Sequence, residues 1–471
     1  MLTRVGRHVS HSTRRITTQR RDYHVPVGLL EDLTHRGFVQ DVTRPDALRN
    51  ALSSRRQVVY AGVDPTATSL HIGHLIPFMT LLHFQIRGHQ IIPLIGGATG
   101  RIGDPSGRIL ERQLADVKQV EDNVISLTKS IQNFFKRALV YADARLEKNE
   151  VICTEPAVTS NLEWHQSFNM LDFLQIVGVH ARVNTMLNRE SVRARLNAQH
   201  GLSFTEFTYQ LLQAYDFYHL HKHFNCSIQV GGSDQWGNIL AGLELIGRLD
   251  QPSAKEETEH AQAYGITTPL LTTATGEKFG KSAGNAVWLD PNLTSVFDFY
   301  QYFMKVADAD VEKYMKLFTL LSWSQIQDIL QVHSQSPEKR IAQRRLAAEV
   351  TELVHRPEGV VRAETLTKLL FESDYSDLKA ENIIAAFQGD PRLVMVDKSE
   401  LLELPVAKLA SKHSLVASNS AARSLVTSKG LYLNNTPVPE LQFKITAERL
   451  INERIAIVRA GKDKLLVLAS A

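Results

Sequence analysis

Cysteine is almost absent: Cys153 and Cys226 are the only two in a chain of 471 residues. A pair so far apart excludes a disulfide framework and a cysteine-based zinc site, and it fits a reducing compartment. Long apolar runs are missing too. No stretch of about eighteen uncharged apolar residues occurs, so no membrane-spanning helix and no membrane partner is expected. Net charge is small, +3 from 53 Lys and Arg against 50 Asp and Glu, and no internal repeat or low-complexity tract interrupts the chain. With 43% hydrophobic and 22% charged residues, the composition is that of a globular protein, and the length favours roughly two to four domains.

The charge is unevenly placed. Residues 1–21 hold six Arg and no acid, residues 406–471 hold ten Lys and Arg against four Asp and Glu, and residues 22–405 hold 37 basic against 46 acidic groups. An acidic body with a basic tail confines any polyanion contact to one region. The Arg-, Ser- and Thr-rich start lacks a secretory apolar core, and on a helix Leu2, Val5 and Val9 face away from the arginines. Residues 1–24 are therefore expected to be a mitochondrial presequence leading to the matrix; a basic tail that touches RNA in place is the alternative.

Residues 57–63 (QVVYAGV) and 90–95 (QIIPLI) have the pattern of buried strands, joined by an apolar-periodic helix from Leu70 to Gln85. Strand, helix, strand at this spacing is a βαβ crossover, so the class is α/β with a Rossmann-type parallel sheet. Such sheets place ligands at the carboxyl ends of strands, first of all in the loop Asp64–Ser69. Further helices are expected around Leu114–Lys136, Asn184–Asn197 and Ser203–Leu220, and a third strand at 227–230. The parallel-sheet domain is expected over 25–294 and a helical domain, with amphipathic Leu346, Val350, Leu353 and Val354, over 295–373. A linker containing Gly389 and Pro391 (374–405) and a small α+β domain (406–471) with turns at Gly430, Asn434-Asn435 and Gly461 complete the division.

Two constellations can carry chemistry. Tyr60-Ala-Gly-Val-Asp64 runs into His71-Ile72-Gly73-His74, from a strand into the first turn of a helix. Free backbone N–H groups at such a turn attract phosphate, two histidines three apart can donate together, and Gly73 lets a flat base or ribose lie against the backbone. The second is Lys278-Phe279-Gly280-Lys281-Ser282. Two lysines flanking a glycine make either a flexible clamp for developing pyrophosphate charge or a solvated basic turn, and the segment alone does not choose.

In this order, His71-Ile-Gly-His74 and Lys278-Phe-Gly-Lys281-Ser282 resemble the HIGH and KMSKS signatures of class I aminoacyl-tRNA synthetases. Gly96-Gly-Ala-Thr-Gly100 with Gly103-Asp-Pro-Ser-Gly107, Phe204-Thr-Glu-Phe-Thr-Tyr209 with Gln213-Ala-Tyr-Asp216, and Gly231-Gly-Ser-Asp234-Gln235-Trp-Gly-Asn238 narrow the resemblance to the bacterial and organellar tyrosyl-tRNA synthetases. The resemblance implies ATP-dependent ligation of L-tyrosine to tRNA(Tyr) in two in-line steps through tyrosyl-adenylate, with no covalent enzyme intermediate. It implies that Tyr60 and Asp216 hold the phenol hydroxyl and that Asp104, Tyr209 and Gln213 hold the α-ammonium. Asp64, His71, Gly73, His74, Gly232 and Asp234 would then serve ATP, Gln235 the reacting carboxylate, the backbone at Leu270 or Leu271 the adenine, and Lys278, Lys281 and Ser282 the pyrophosphate. Mg²⁺ would accompany ATP without a dedicated protein cage. The tail resembles a small ribosomal-protein-like RNA-binding domain, in which Arg423 and Lys429 precede a glycine turn, and with 295–373 it would read the tRNA. A homodimer is implied as well. A tryptophanyl-type ligase, a nucleotidyltransferase of the same fold, and an RNA-splicing or chaperone role added to or replacing catalysis are the alternatives.

Overall fold

The computed structural model describes residues 28–106, 115–146, 155–197, 201–250, 262–270, 272, 281–282, 285–372, 374–461 and 464–470. The presequence expectation (1–24) and Lys278 therefore lie outside the described residues.

Six strands form the central sheet: β1 (Asp41–Val42), β2 (Val58–Val63), β3 (Gln90–Ile95), β4 (Thr159–Ser160), β5 (Cys226–Gly232) and β6 (Tyr264–Thr268), ordered β1-β6-β5-β2-β3-β4. All neighbours are parallel except the β1 edge. Helices cover both faces of such a sheet, so β2, β3 and β5 read as near-continuous apolar runs rather than alternating ones. Helix α1 (Leu75–Gln85) makes the crossover from β2 to β3. Ten of its eleven residues are buried, as for a helix apolar on every side. It begins later than the expected Leu70, because Ile72–His74 forms a single 3-10 turn. Pro77 thereby falls in the first turn of α1, where no intrahelical N–H is needed.

Helix α2 (Val117–Asp143) is capped by Asp116, whose side chain accepts from the Gln119 N–H, and α3 (Phe204–Phe224) is capped by Ser203, accepting from Glu206. Helix α4 (Trp236–Leu249) carries the chain from β5 to β6 and crosses α3 at Gly242. A Cβ there would lie 2.9 Å from the Phe217 ring, so the close crossing requires glycine. The chain proceeds from β2 to β3 and β4 on one side, then returns to β5 and β6 on the other. The switch point lies between β2 and β5, and parallel sheets bind ligands above such a point. A short ribbon, β7 (Lys281–Ser282) with β8 (Asn285–Ala286), follows the sheet.

By compactness the chain divides into two units, one of residues up to Thr294 with Tyr302–Val354, the other of Ser295–Gln301 with His355 onward. Helices Asp308–Phe318 and Trp323–Gln335 thus belong with the parallel sheet rather than with a separate 295–373 body. Polar ties hold them there. Arg36 donates to the carbonyls of Lys316, Thr319 and Leu321. From α2, Tyr141 and the following Arg145 both reach Glu349, each at 2.6 Å.

Helix α5 (Ile341–Phe371) crosses the division and breaks at Arg356, where φ is 67° and ψ 172°, immediately before Pro357. That region is nearly restricted to glycine and costs a side-chain-bearing residue about 1–3 kcal/mol. Arg356→Gly relieves the strain and Arg356→Ala does not, so thermal unfolding should give the Gly variant the higher Tm of the two. Equal values would show that the backbone there is unstrained.

In the second unit β9 (Leu393–Val396), β10 (Leu431–Leu433), β11 (Thr436–Pro437), β12 (Ile455–Ala460) and β13 (Lys464–Ser470) form a sheet ordered β11-β10-β12-β13-β9. On β12, Ile455 and Ile457 enter one apolar cluster while Ala456 and Val458 enter another, so both faces are covered. Residues 374–405, expected as a linker, carry helix Ala380–Ala386, β9 and helix Lys398–Glu403, and Gly389 (φ 80°) turns the chain between the first helix and the strand. Asn434 and Asn435, with φ of 47° and 63°, close the β10–β11 hairpin, the pattern of a type I′ turn. Among the described residues no helix is long and apolar enough to cross a membrane.

Candidate active site

The turns beyond β2, β3 and β5 supply most of the candidate residues. Tyr60, on β2, stands in an apolar cluster with Ile92, Trp164 and Phe217, its ring 5.3 Å from that of Phe217. Its hydroxyl is buried and has no hydrogen-bond partner among the described residues. Burial, and then the charge of Asp216, push its pKa well above the usual phenol value. Asp216, on α3, is itself buried. One of its oxygens accepts from Trp164 Nε1 and His165 Nε2, both at 2.8 Å, and the other from Asn161 Nδ2 at 2.9 Å.

A line of hydrogen bonds runs from Asp216 to the turn after β2. Asn161 Nδ2 also donates to Thr99 Oγ1 (3.0 Å), Thr99 donates to Asp64 Oδ1 (2.9 Å), and Tyr209 OH donates to Asp64 Oδ2 (2.9 Å). Gly96 makes room for this junction, since a Cβ there would sit 2.1 Å from Asp64 Oδ1. The Tyr209 phenol is raised well above its ordinary pKa by burial, then by Asp64 and Asp104, so it stays a donor. Asp104 accepts from the Ser106 N–H at 2.9 Å and from Gln235 Nε2 at 2.6 Å. Gln235 and Gln213 meet at Asn238. Asp234 lies in the 3-10 turn that follows Gly232, where a Cβ would approach its carboxylate to 2.7 Å.

The two histidine rings lie against each other, centroids 4.0 Å apart and planes tilted by 33°. His71 Nδ1 accepts from the Gly73 N–H, and His74 Nδ1 from the His71 N–H, each at 3.1 Å. With Nδ1 occupied as an acceptor, each neutral ring carries its hydrogen on Nε2. Burial, and then His71, lower the His74 pKa to about 3, so this side chain is a neutral donor across the physiological range. A β-bridge between His71 and Trp288 and the bond from Ile72 N to Val287 O seat the chain just after β8 against the histidine turn. The ribbon bearing the backbone of Lys281 and Ser282 ends two residues before this bridge, so the chain that carries it is tethered to the histidine turn.

The structure thus gathers Tyr60, Asp64, His71, Gly73, His74, Asp104, Tyr209, Gln213, Asp216, Gly232, Asp234 and Gln235 around the carboxyl ends of β2, β3 and β5. Arg423 and Lys429 belong to the second unit, both exposed, on and just after helix Asn419–Thr427.

The family described as tRNA synthetases class I (W and Y) matches residues 52–372. The mitochondrial tyrosine–tRNA ligase of Saccharomyces cerevisiae is 42% identical over 445 residues, spanning 93% of this chain and 88% of its own. The chain belongs to the class I tyrosyl-tRNA synthetases. Tyrosine–tRNA ligase 1 of Bacillus licheniformis is 41% identical over 93% of this chain and 99% of its own length. Among solved structures, a C-terminally truncated mitochondrial tyrosyl-tRNA synthetase from Aspergillus nidulans superposes with a TM-score of 0.67 at 35% identity, covering 73% of this chain and 94% of that one.

For this synthetase, sequence reasoning missed Asn161, Trp164 and His165 as site residues and passed over Thr99 and Asn238 within their motifs. Only its glycine-rich motif marked Thr99, and nothing local marked Asn161, because the two-residue β4 before it has no period to detect.

Proposed function

We propose that this synthetase activates L-tyrosine with ATP and transfers it to mitochondrial tRNA(Tyr) in the matrix. The observation that carries the choice of amino acid is the Tyr60 hydroxyl, buried without a partner among the described residues, beside an Asp216 that three donors hold in place. Burying an unpaired hydroxyl costs about 1–3 kcal/mol. A substrate phenol offsets that cost by accepting from Tyr60 while donating to Asp216. An indole N–H could donate to Asp216 but has no lone pair for Tyr60, which argues against tryptophan.

At the other end, Asp104, Tyr209 and Gln213 supply acceptors for the α-ammonium, and Gln235 orients the carboxylate. That carboxylate attacks the α-phosphate of ATP, and pyrophosphate leaves. His71 and His74 donate from neutral Nε2–H groups to the polyphosphate, Asp234 accepts from ribose hydroxyls, and Lys278, Lys281 and Ser282 take the developing pyrophosphate charge. The terminal ribose hydroxyl of tRNA then attacks the mixed anhydride. Positioning and charge stabilisation suffice, and no protein nucleophile is needed. Mg²⁺ enters with the phosphates of ATP.

The helices of 295–373 and the tail of 406–471, with Arg423 and Lys429, are assigned to tRNA; the surplus of basic residues in the tail supports phosphate contact. The acid-free, Arg-rich start supports import. A homodimer is supported by helix Met170–Ile176, which buries none of its residues and exposes Met170, Leu171, Leu174 and Ile176, continued by exposed Val179 and Val183. A second copy covers such a face.

Amino-acid-dependent ATP–pyrophosphate exchange tests the reading: exchange is expected with tyrosine, and exchange with tryptophan but not tyrosine would overturn it. Tyr60→Phe sharpens the test. Losing an unpaired buried hydroxyl should leave the free protein as stable or raise its Tm, while the KM for tyrosine rises about tenfold through loss of one hydrogen bond.

A further inference from the structure

We infer that Asn238 is a positioning residue that sets which end of each carboxamide, Gln213 and Gln235, faces the amino acid; this rests on the tyrosine-activating reading above. Asn238 is the third residue of α4, in its first turn, and is 6% exposed. Its Nδ2 donates to Gln213 Oε1 and to Gln235 Oε1, both at 3.1 Å, with Ser106 Oγ farther away at 3.5 Å. The two ends of a glutamine side chain have nearly the same shape and opposite hydrogen-bonding character. A half-turn about the last bond costs no volume, so packing alone does not fix the orientation. Polar partners must do it.

For Gln235 the partners agree. Its Oε1 takes the Asn238 donor, and its Nε2 is left to donate to Asp104 Oδ2 at 2.6 Å. Asp104 in turn is held by the Ser106 N–H. Gln213 receives its orientation from the same amide, its Oε1 drawn toward Asn238 with a second lone pair remaining. One NH₂ group, with two hydrogens, therefore orders both glutamines at once. It joins a residue of α3 to one in the turn after β5.

Inverting the polarity of that group without changing its size gives the test. In Asn238→Asp the side chain only accepts, so both glutamines gain by turning Nε2 toward it. Gln235 then presents Oε1 to the Asp104 carboxylate, acceptor against acceptor. Asn238→Leu keeps the branched shape, though it is bulkier, and has no donor, which frees the glutamines without driving them round. In pyrophosphate exchange the tyrosine KM is expected to rise about 10–100-fold in Asn238→Asp and by less in Asn238→Leu, the scale of a buried polar group left mispaired. The ATP KM should hold within about twofold, because the histidine turn makes no contact with this amide. Two competitive inhibitors localise the loss. Tyramine, which keeps the ammonium, should weaken with tyrosine, whereas 4-methylphenol, which has only the phenol end, should bind as it does to the wild type. A folded Asn238→Asp or Asn238→Leu protein with an unchanged tyrosine KM overturns the proposal. So does parallel weakening of 4-methylphenol with a lowered Tm, which marks a packing role. A wild-type enzyme that fails to activate tyrosine at all instead overturns the reading beneath it.

Discussion

Asp216→Asn is expected to lower kcat/KM for tyrosine by about 10³-fold and to collapse most of the preference over phenylalanine. The reason is a count of lone pairs. An ionised carboxylate offers about four acceptor sites. Trp164, His165 and Asn161 occupy three of them, and the substrate hydroxyl fits the fourth. An amide has one oxygen and one NH₂, so in either orientation at least one of the three resident donors meets another donor. The charge that strengthens all four bonds is lost as well. Phenylalanine, by contrast, never uses the fourth site, so its poor turnover should change little. Tyrosyl sites reject phenylalanine by about 10⁵, a general magnitude for such enzymes rather than one obtained from this chain. Exchange assays with both amino acids, alongside Tm to register any loss of folding, decide the matter. An Asp216→Asn enzyme that still discriminates like the wild type would remove Asp216 from the phenol site.

How much of this was legible in the sequence depended on whether a residue's job is local. Strands β2, β3 and β5 were legible because burial on both faces leaves an apolar run ended by turn residues. The two-residue strands β1 and β4 offer no period to detect. The start of α1 was misjudged by five residues, since an apolar 3-10 turn has the same composition as a helix. In the tail, Asn434-Asn435 announced a turn because asparagine tolerates positive φ, and the structure makes that turn a hairpin. Yet β9 was hidden, since Leu393–Val396 becomes a strand only by pairing with β13, some seventy residues on. The site divides the same way. Tyr60, His71, His74 and Asp216 lie in short motifs whose local geometry hints at their use. Thr99 and Asn161 act by joining Asp64 to Asp216 across segments brought together by the sheet, and nothing in their own neighbourhoods says so. The division at Val354 was likewise invisible, because the helix runs through it and only packing assigns its halves.

His74→Ala is expected to slow adenylate formation by about 10²–10³-fold, the scale for removing one preorganised donor from a developing charge, with the dissociation constant for tyrosine within about twofold of wild type. The phenol and ammonium ends are held by other residues, so rate and binding should part company. Stopped-flow measurement of adenylate formation against equilibrium tyrosine binding reads this directly, and equal losses in both would show that His74 supports the amino-acid pocket instead. His74→Asn separates donor from ring. Its Oδ1 can accept the His71 N–H that His74 Nδ1 accepts now, and its Nδ2 can donate outward, so it should retain more activity than the alanine variant. The same residue leaves a signature in stability. Its folded pKa is about 3, against about 6.5 in an unfolded chain. Between those values the unfolded chain binds the extra proton, so stability falls as pH drops through that window and is fully present above it. His89 and His219, each lowered to about 4 mainly by burial, act in the same sense. Tm should therefore decline from pH 7 toward pH 4.5, and decline less steeply in His74→Asn. Above pH 6 the ring is neutral throughout, so His74 should leave no limb in the pH–rate profile. A limb near pH 6.5 that vanishes in His74→Asn would mean that a cation, not a neutral N–H, meets the phosphates.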